Sequence, residues 1–390
     1  MDTGKLKASV IGEIDSQARQ LGELSQKIFS NPELGFGEFQ AAGWLSDYLE
    51  SKGFSTERGL CELETAFKGG YGHGEPTIAI LAEYDALPDV GHACGHNLIA
   101  TSAVGAAIAS RLAVDTLGGS INIIGTPAEE LYAGKAIMAA GRAFDNIDIA
   151  MMVHPGVRDI ATIETLACQT LDVDFWGKEA HASAQPEEGI NALEAMLLAF
   201  ASINSLRQHI KDKARIHGII TDGGEAANIV PGHSAGTFIV RAKEDDYLDV
   251  LKEKVISCFT GAATATGARL EYKWGAERYA AMVNNMTLAR LYQQNMRSLG
   301  RKVRLTDSSG NFGSTDMGNV SQLMPAIHPF IAIAPGEILL HSPQFASAAA
   351  SKAGTKGLMD AAKAMAMTVV DLLSSPETVA KIKEEFRGQK

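Results

Sequence analysis

The apolar residues in the first part of the chain follow a helical spacing in some stretches and a strand-like pattern in others. Over Lys5–Phe29 they return every three, four or seven positions, which predicts one helix that Asn31 and Pro32 end. Three short apolar runs rich in β-branched residues are typical of buried strands: Thr77–Ala82, Ser120–Gly125 and Ile147–Val153. Helical segments separate these runs, so we predict an α/β domain with a mostly parallel sheet and helices on both faces. In such domains the ligand site lies beyond the carboxyl ends of the strands.

The pattern changes near Leu166, where a second arrangement begins. Six segments follow in the order β-α-β-β-α-β: Gln169–Gly177, Asn191–Ile210, Ile216–Thr221, Gly236–Ala242, Asp246–Thr264 and Ala268–Trp274. This is the order of a ferredoxin-like α+β sandwich. The chain then continues through a helix, a loop from Asp307, a strand over Phe330–Ala334 and a closing helix over Phe345–Leu373. We therefore predict a catalytic domain made of residues 1–166 and 279–390, with an inserted domain of residues 167–278.

Composition and charge narrow the classes of function. The 390 residues are 46% hydrophobic and 21% charged, which is typical of a globular protein and excludes a disordered or fibrous one. With 35 basic and 46 acidic residues the formal charge is −11, so the chain lacks the basic surface that nucleic acid or anionic lipid requires. The 4 cysteines are scattered, and neither an apolar leader nor a membrane-spanning stretch is visible. These features predict a cytoplasmic enzyme that binds no nucleic acid and no membrane.

A cysteine and a histidine lie two positions apart in the loop Gly91–Asn97 (GHACGHN). Cys94 and His96, separated by one glycine, would bring a thiolate and an imidazole within reach of one metal ion or of a bridged pair. A buried cysteine beside a loop histidine would give the same pattern without a metal. The loop is therefore a candidate metal site only in combination with further ligands.

Two adjacent carboxylates follow the next strand, in Thr126–Glu130 (TPAEE). Glu129 and Glu130 are costly to place together unless a cation or a shared proton compensates their charges. In a metal-dependent hydrolase one carboxylate binds the metal and the other moves a proton. The solvated first turn of a helix would also favour two glutamates, because it lies at the positive end of the helix dipole.

Two further histidines, His154 and His341, follow later strands. A single loop histidine is often merely solvated, so neither is informative alone. Together with Cys94, His96 and Glu130, however, they lie in loops that the predicted topology brings to one edge of the sheet. Five potential ligands in such loops predict a metal centre.

These motifs resemble the dinuclear metallo-aminoacylase and carboxypeptidase family, metallopeptidase family M-twenty, in its amidohydrolase branch. They run in the family's order: Asn31–Phe36 (NPELGF), Ala82–Pro88 (AEYDALP), the Cys-Gly-His loop, Thr126–Glu130 and Leu340–Pro343 (LHSP). Gly313–Val320 (GSTDMGNV) and Pro325–Pro329 (PAIHP) are most similar to the aminobenzoyl-glutamate hydrolase and β-alanyl-lysine dipeptidase subgroup. The resemblance covers essentially the whole chain. It implies a phosphorylase/hydrolase-like metallopeptidase domain with an inserted lid and dimerisation domain.

The resemblance implies a site with two divalent metal ions, zinc or manganese. The implied ligands are Cys94, His96, Glu130, His154 and His341. Glu129 would act as general base and then as general acid. Glu83 stands where the carboxypeptidase branch has a ligating histidine, so we expect at most an orienting role from the neighbouring Asp85.

In the inserted domain, the resemblance points to three residues that would contact substrate. His181, in Gly177–Ser183 (GKEAHAS), would reach the active site of the partner subunit and stabilise the tetrahedral oxyanion. Asn228 and Arg241 would hold the free carboxylate of the substrate, although Arg241 could instead form an ion pair on the sheet surface. In the catalytic domain, His328 could line the substrate pocket.

The resemblance therefore implies a metal-dependent amidohydrolase or peptidase. Its substrate would be a dipeptide or an aminobenzoyl-glutamate-like conjugate with a free carboxylate, and its partner a second copy bound through the inserted domain. Two alternatives remain open: a deacylase of N-acyl amino acids, and a metal-binding relative without catalytic activity.

Overall fold

The structure is a computed structural model, and it describes residues 2–306 and 313–389. Within these residues the chain divides into two compact units. Unit 1 contains residues 2–164, 282–306 and 315–389, and unit 2 contains residues 165–281 with residues 313 and 314. The predicted divisions at 166/167 and 278/279 lie close to these boundaries, and the predicted loop from Asp307 begins outside the described residues.

The described residues form thirteen α-helices and fourteen strands. The helices are α1 (Thr3–Ser16), α2 (Ala18–Ser30), α3 (Phe39–Ser51), α4 (His96–Leu117), α5 (Glu129–Tyr132), α6 (Gly134–Ala140), α7 (Ala192–Leu206), α8 (Asp245–Thr266), α9 (Met286–Ser298), α10 (Met317–Ser321), α11 (Pro343–Ala349), α12 (Lys352–Ser374) and α13 (Pro376–Gln389). The strands are β1 (Ser55–Arg58), β2 (Phe67–His73), β3 (Thr77–Ala82), β4 (Gly119–Gly125), β5 (Ile149–Met151), β6 (His154–Gly156), β7 (Ile160–Thr162), β8 (Ala167–Trp176), β9 (Arg215–Asp222), β10 (His233–Ala242), β11 (Arg269–Trp274), β12 (Arg304–Thr306), β13 (Ala326–Ile327) and β14 (Phe330–Ala332).

Unit 1 is organised around a six-stranded sheet in the order β1-β2-β4-β3-β5-β13. The four strands β4, β3, β5 and β13 are parallel, whereas β1 and β2 pair antiparallel at one edge. A second, smaller sheet has the order β12-β7-β14-β6. The predicted α/β class is therefore confirmed, and the antiparallel pair β1–β2 is an addition that the sequence pattern did not predict.

Helix α4 is the central helix of unit 1 and packs against α12, α1, α2 and the sheet. Its small residues allow this close packing: a Cβ on Gly105 would lie 2.8 Å from the Leu21 side chain. Among the described residues, α4 alone is long and apolar enough to cross a bilayer. Because 89% of its apolar window is buried inside the protein, it has the surroundings of a core helix.

Two of the predicted helices are each divided into two. The helix expected over Lys5–Phe29 is interrupted at Gln17, whose backbone (φ −98°, ψ 4°) leaves the helical region and redirects the chain. The Gln17 side chain is buried and accepts a hydrogen bond from the Tyr48 hydroxyl at 2.9 Å, which holds the break in place. The closing helix is likewise divided, because the Ser351 hydroxyl caps a new helix start by accepting hydrogen bonds from the backbone of α12.

Unit 2 contains a four-stranded antiparallel sheet in the order β11-β8-β10-β9, with α7 and α8 packed on it. Buried and more exposed residues alternate along β10, so one face of the sheet is directed to the core. Its apolar core joins residues such as Phe175 and Phe238 of the sheet to Met196 and Phe259 of the helices. A role for this unit as lid or dimerisation surface stays a prediction.

Candidate metal and catalytic site

The parallel strands of unit 1 all end at one edge of the sheet, and the chemically active residues follow directly. Glu83 and Asp85 come after β3, Glu129 begins α5 just after β4, and His154 follows β5. His328 follows β13 in the same way. Because the carboxyl ends of parallel strands share one edge, the topology alone gathers these side chains.

The Cys-Gly-His loop turns sharply so that it presents two ligand atoms. Gly95, between Cys94 and His96, adopts φ +82°, and a Cβ there would lie 2.5 Å from the Pro155 ring. Only glycine fits this position, because it combines a left-handed backbone with a close neighbour. His96 then begins α4, and the Cys94 sulfur lies 3.3 Å from Nε2 of His154.

Both buried imidazoles are oriented by a hydrogen bond on Nδ1. The Nδ1–H of His96 donates to Asp85 Oδ1 at 3.0 Å, and the Nδ1–H of His154 donates to the carbonyl of Pro155 at 2.6 Å. In each ring the lone pair is therefore on Nε2, the atom directed toward the other candidate ligands. This carboxylate–histidine or carbonyl–histidine arrangement is typical of metal-binding histidines. Asp85 thus orients a candidate ligand, the role considered for it from sequence.

Glu130 and His341 complete the group. The Oε1 atom of Glu130 lies 3.7 Å from Nε2 of His96 and 3.5 Å from Nε2 of His341. Asp85 also supports Glu130, because its Oδ2 accepts the Glu130 N–H at 3.0 Å. His341 is held at its backbone, where its N–H donates to the carbonyl of Ala93 at 3.0 Å, while its side chain is 52% exposed.

The structure therefore brings all five predicted ligands and Glu129 into one region. Three groups have ligand atoms within 4.8 Å of one another: Cys94 with His96 and His154, Cys94 with Glu130 and His341, and His96 with Glu129 and Glu130. The groups share members, so they form one continuous cluster with donors enough for two ions. The assignment of each residue as a ligand or a base stays a prediction.

Three buried atoms in this region have no hydrogen-bond partner among the described residues: His96 Nε2, Glu130 Oε1 and Glu83 Oε2. Unpaired buried polar atoms are costly and call for a ligand. A thiolate, imidazoles and carboxylates are together a donor set suited to divalent transition metals. The residues present therefore fit a pair of divalent ions.

Burial strongly perturbs the ionisation of this cluster. Burial, together with neighbouring Glu83 and Asp316, raises the pKa of Glu129 well above its usual value. Burial likewise raises the pKa of the Cys94 thiol, and it lowers the pKa of His154 to about 3. His154 is therefore neutral at physiological pH, which is the form that binds metals. His328 lies beside it, with ring centroids 5.6 Å apart, and burial lowers its pKa to about 4.

A fully buried lysine lies next to the cluster and was not predicted. The Lys135 ammonium is 2.5 Å from a Glu83 oxygen and 2.7 Å from an Asp316 oxygen, and the Lys135 backbone N–H donates to Asp316 at 2.8 Å. Burial lowers the pKa of Lys135, but the two carboxylates outweigh it and raise the pKa above its usual value. Glu129 lies close to the same carboxylates. An internal ammonium ion thus compensates two of the acidic groups beside the candidate base.

In unit 2, the three predicted substrate contacts separate into two places. Exposed His181 and Asn228 lie on adjacent loops, because the N–H of Ala182 donates to the Asn228 carbonyl at 3.0 Å. These loops continue from the end of β10 that begins at His233. Arg241 lies eight residues further along β10, roughly 26 Å away at the usual rise of a strand. One protomer therefore does not bring Arg241 and Asn228 together within this unit.

The contacts of these residues are polar but simple. Arg241 donates to the Ser314 hydroxyl at 2.7 Å and to the His217 ring at 3.3 Å, so the ion pair considered as its alternative is replaced by neutral partners. Further along the sheet, His233 bridges Asp222 at 2.6 Å and Asp174 at 2.9 Å. Burial lowers the pKa of His233, but these two hydrogen bonds outweigh burial and raise it.

Comparison with known proteins agrees with the fold and the site. The profile described as "Peptidase family M20/M25/M40" matches residues 79–364. The Xaa-Arg dipeptidase of Mus musculus is 37% identical over 398 residues, covering 98% of this chain and 92% of the relative. A p-aminobenzoyl-glutamate hydrolase polypeptide of Escherichia coli is 28% identical over 448 residues, covering 96% of this chain and 93% of the relative.

Among solved structures, a dinuclear metal-binding peptidase of the same family from Bacillus subtilis superposes with a TM-score of 0.72 at 20% identity. The match covers 92% of this chain and 99% of that chain, and it shows a shared fold. The chain belongs to peptidase family M20/M25/M40. The predicted family and the predicted enzyme class, a peptidase or amidohydrolase, are therefore confirmed.

Proposed function

We propose that the chain hydrolyses the amide bond of a dipeptide, or of an aminobenzoyl-glutamate-like conjugate, whose leaving amino acid has a free carboxylate. The observation that carries the proposal is the convergence of Cys94, His96, Glu130, His154 and His341 around Glu129. The names of the relatives, a dipeptidase and an aminobenzoyl-glutamate hydrolase, support this substrate class. We propose zinc or manganese as the metal, since the donor set contains one thiol and three imidazoles.

The chemistry divides between the ions and the chain. Two divalent ions held by the five ligands supply Lewis-acid activation of water and of the scissile carbonyl. Glu129 takes a proton from the attacking water and delivers it to the nitrogen of the departing amine. Glu129 suits this role because its carboxyl lies beside the ligands, and because burial favours its protonated form once it has accepted the proton. Asp85 keeps His96 in the tautomer that a metal ligand requires.

Unit 2 contributes recognition of the substrate. His181 would stabilise the oxyanion, and Asn228 and Arg241 would hold the free carboxylate, for which the guanidinium fork is well suited. Since Arg241 is at the opposite end of β10 from Asn228, both can contact one substrate only if they come from different copies of the chain. We therefore propose a homodimer with unit 2 as the lid and dimerisation domain. We also propose a cytoplasmic location, since all four cysteines are free thiols.

The first test replaces Glu129 with glutamine and measures both turnover and bound metal. We expect turnover to fall by about 10²–10⁴-fold with unchanged metal content, because only the proton transfer is lost. Glu384→Gln, at an exposed position on α13, is the matched control and should retain full turnover. Wild-type turnover of Glu129→Gln would overturn the assignment of the base.

The second test uses a panel of substrates on the zinc and manganese forms. An Xaa-Arg dipeptide, aminobenzoyl-glutamate, β-alanyl-lysine and an N-acetyl amino acid distinguish the substrate classes. The highest kcat/KM on one of the first three supports the proposal, and the highest value on the N-acetyl amino acid identifies a deacylase. Bound metal without turnover of any of the four would favour a non-catalytic relative.

The third test addresses the dimer. Glu129→Gln and Asn228→Ala chains are prepared separately and then co-expressed. If each site takes Glu129 from one copy and Asn228 from the other, mixed dimers contain one intact site, and about a quarter of wild-type activity should return. The absence of any recovery, in mixed dimers isolated through two different tags, would show that both residues act within one copy.

A further inference from the structure

The segment between α2 and α3 carries the motif Asn31–Phe36, which the chemistry proposed above does not use. In this segment the carbonyl of Glu33 accepts the N–H of Ala86, in the loop after β3, at 2.8 Å. Gly35 packs so closely on the turn after β4 that a Cβ there would lie 2.9 Å from the Cβ of Ala128. The segment therefore contacts both loops that supply acidic residues to the site.

Glu38 ends this segment, and its side chain is fully buried. Its Oε1 accepts the backbone N–H of Ala128 at 2.8 Å, and its Oε2 accepts the hydroxyl of Thr65 at 3.0 Å. Glu38 is also the residue that precedes α3, yet its carboxyl makes no capping hydrogen bond to that helix. The side chain instead reaches a backbone amide 90 positions further along the chain.

The amide that Glu38 contacts belongs to an unusual residue. Ala128 has φ 60° and ψ 41°, a left-handed conformation that residues other than glycine adopt rarely. Its carbonyl accepts the N–H groups of Tyr132 and Gly134, so its two peptide groups are both held. Glu129 and Glu130 follow directly, and the backbone at Ala128 sets the direction in which their side chains leave the chain.

We propose that Glu38 is a positioning residue for the hydrolysis proposed above, on which this inference rests. Its carboxyl holds the left-handed turn at Ala128, and that turn directs Glu129 and Glu130 into the site. Burial, with a further contribution from Asp85, raises the pKa of Glu38 to about 7, so the surroundings disfavour its charge. An apolar side chain would fill this space without that cost, but it would leave the Ala128 N–H unpaired.

Three substitutions at Glu38 separate its possible roles. Glu38→Gln keeps an oxygen that accepts the Ala128 N–H, Glu38→Asp keeps the charge but withdraws the carboxyl by one methylene group, and Glu38→Leu removes the acceptor. With saturating zinc we expect Glu38→Gln to keep kcat within about threefold, and the other two to lose at least about tenfold with KM little changed. Thr65→Val is the control, because it removes the other hydrogen bond of the carboxyl without releasing Ala128.

A merely structural role makes different predictions. It expects kcat to follow the melting temperature across all four variants, with Thr65→Val as impaired as Glu38→Asp at equal loss of stability. That outcome would overturn the proposal, as would a wild-type kcat in Glu38→Leu. If Glu38→Leu does not fold, Glu38→Asp and Glu38→Gln decide the matter, since a role for the charge would make Glu38→Gln the weaker of the two.

Zinc affinity gives a readout that does not depend on the proposed reaction. Displacement of Glu130 should weaken zinc binding, measured against a chromophoric chelator, by about 10–100-fold in Glu38→Asp and by much less in Glu38→Gln. Equal zinc affinities in the two variants would overturn the positioning role. If the wild-type chain turned over no tested amide, the proposed function would fail while the difference in zinc affinity still tested Glu38.

Discussion

Replacement of Lys135 with methionine would remove the only ammonium group that contacts Glu83 and Asp316 among the described residues. Methionine has a similar length and fills the same space, so the change removes charge with little loss of volume. Both carboxyl groups would then be left in a fully buried region without their cation. The substitution therefore tests whether the internal ammonium is needed for the fold around the site.

Loss of one partner of a buried ion pair costs about 3–5 kcal/mol, because the remaining charge stays desolvated. We expect the free energy of unfolding to fall by about this amount, a large part of the roughly 5–15 kcal/mol that a domain has. The loss should depend on pH, because burial already raises the pKa of Asp316 to about 6 against the opposing effect of Lys135. A carboxyl with a raised pKa binds protons in the folded state, so the loss should grow as the pH rises through about 6 and shrink toward about 4.

Denaturant unfolding of the wild type and the variant at several pH values measures the effect. Lys5→Met is the matched control: the Lys5 side chain is 86% exposed and 4.0 Å from Asp2, so its loss should cost less than about 1 kcal/mol. A triple variant with Glu83→Gln and Asp316→Asn in addition has no unpaired charge and should recover much of the stability. A loss below about 1 kcal/mol in Lys135→Met, or a triple variant as unstable as the single one, would refute this reasoning.

Three further predictions concern single residues. Gly95→Ala places a Cβ 2.5 Å from the Pro155 ring at a left-handed φ, so we expect about 1–3 kcal/mol lower stability and reduced zinc content, and wild-type zinc content would contradict this. His233→Gln should destabilise the chain more at about pH 6 than at about pH 9, because a raised histidine pKa stabilises the fold below its unfolded pKa and this is lost as the pH rises through the folded pKa; equal losses of melting temperature would argue against it. Cys94→Ser should lower the zinc bound per chain after dialysis, measured by elemental analysis, whereas unchanged stoichiometry would exclude Cys94 as a ligand.

The candidate site could be predicted from sequence because its residues directly follow recognisable strands. Cys94, Glu129 and His154 lie in loops after apolar runs, and parallel strands carry such loops to one edge of a sheet. The same reasoning did not detect β1 and β2, because their residues are partly exposed and contain several glycines. The break at Gln17 was also missed, since it depends on a buried contact with Tyr48 rather than on a local signal.

Lys135 and Glu38 could not have been identified by pattern alone. A lysine near the start of a helix is usually solvated, and only the arrival of Asp316, 181 positions away, makes Lys135 a buried cation. Glu38 follows a motif that supported the family resemblance, but its role requires knowledge that Ala128 is left-handed. Long-range polar contacts of this kind leave no periodicity in the sequence, so they appear only in three dimensions.

The division of unit 1 into separate stretches has a consequence for the order of folding. The core of unit 2 comes from one continuous stretch, from Ala167 to Ala268, whereas the core of unit 1 needs residues from both sides of it. During synthesis, which proceeds from the N-terminus, unit 2 has its whole core available before Asp316, the aspartate partner of Lys135, has left the ribosome. His341 emerges later still. We therefore expect the acidic cluster to remain without part of its compensation until synthesis is nearly finished, so that the site is the last part of the protein to form.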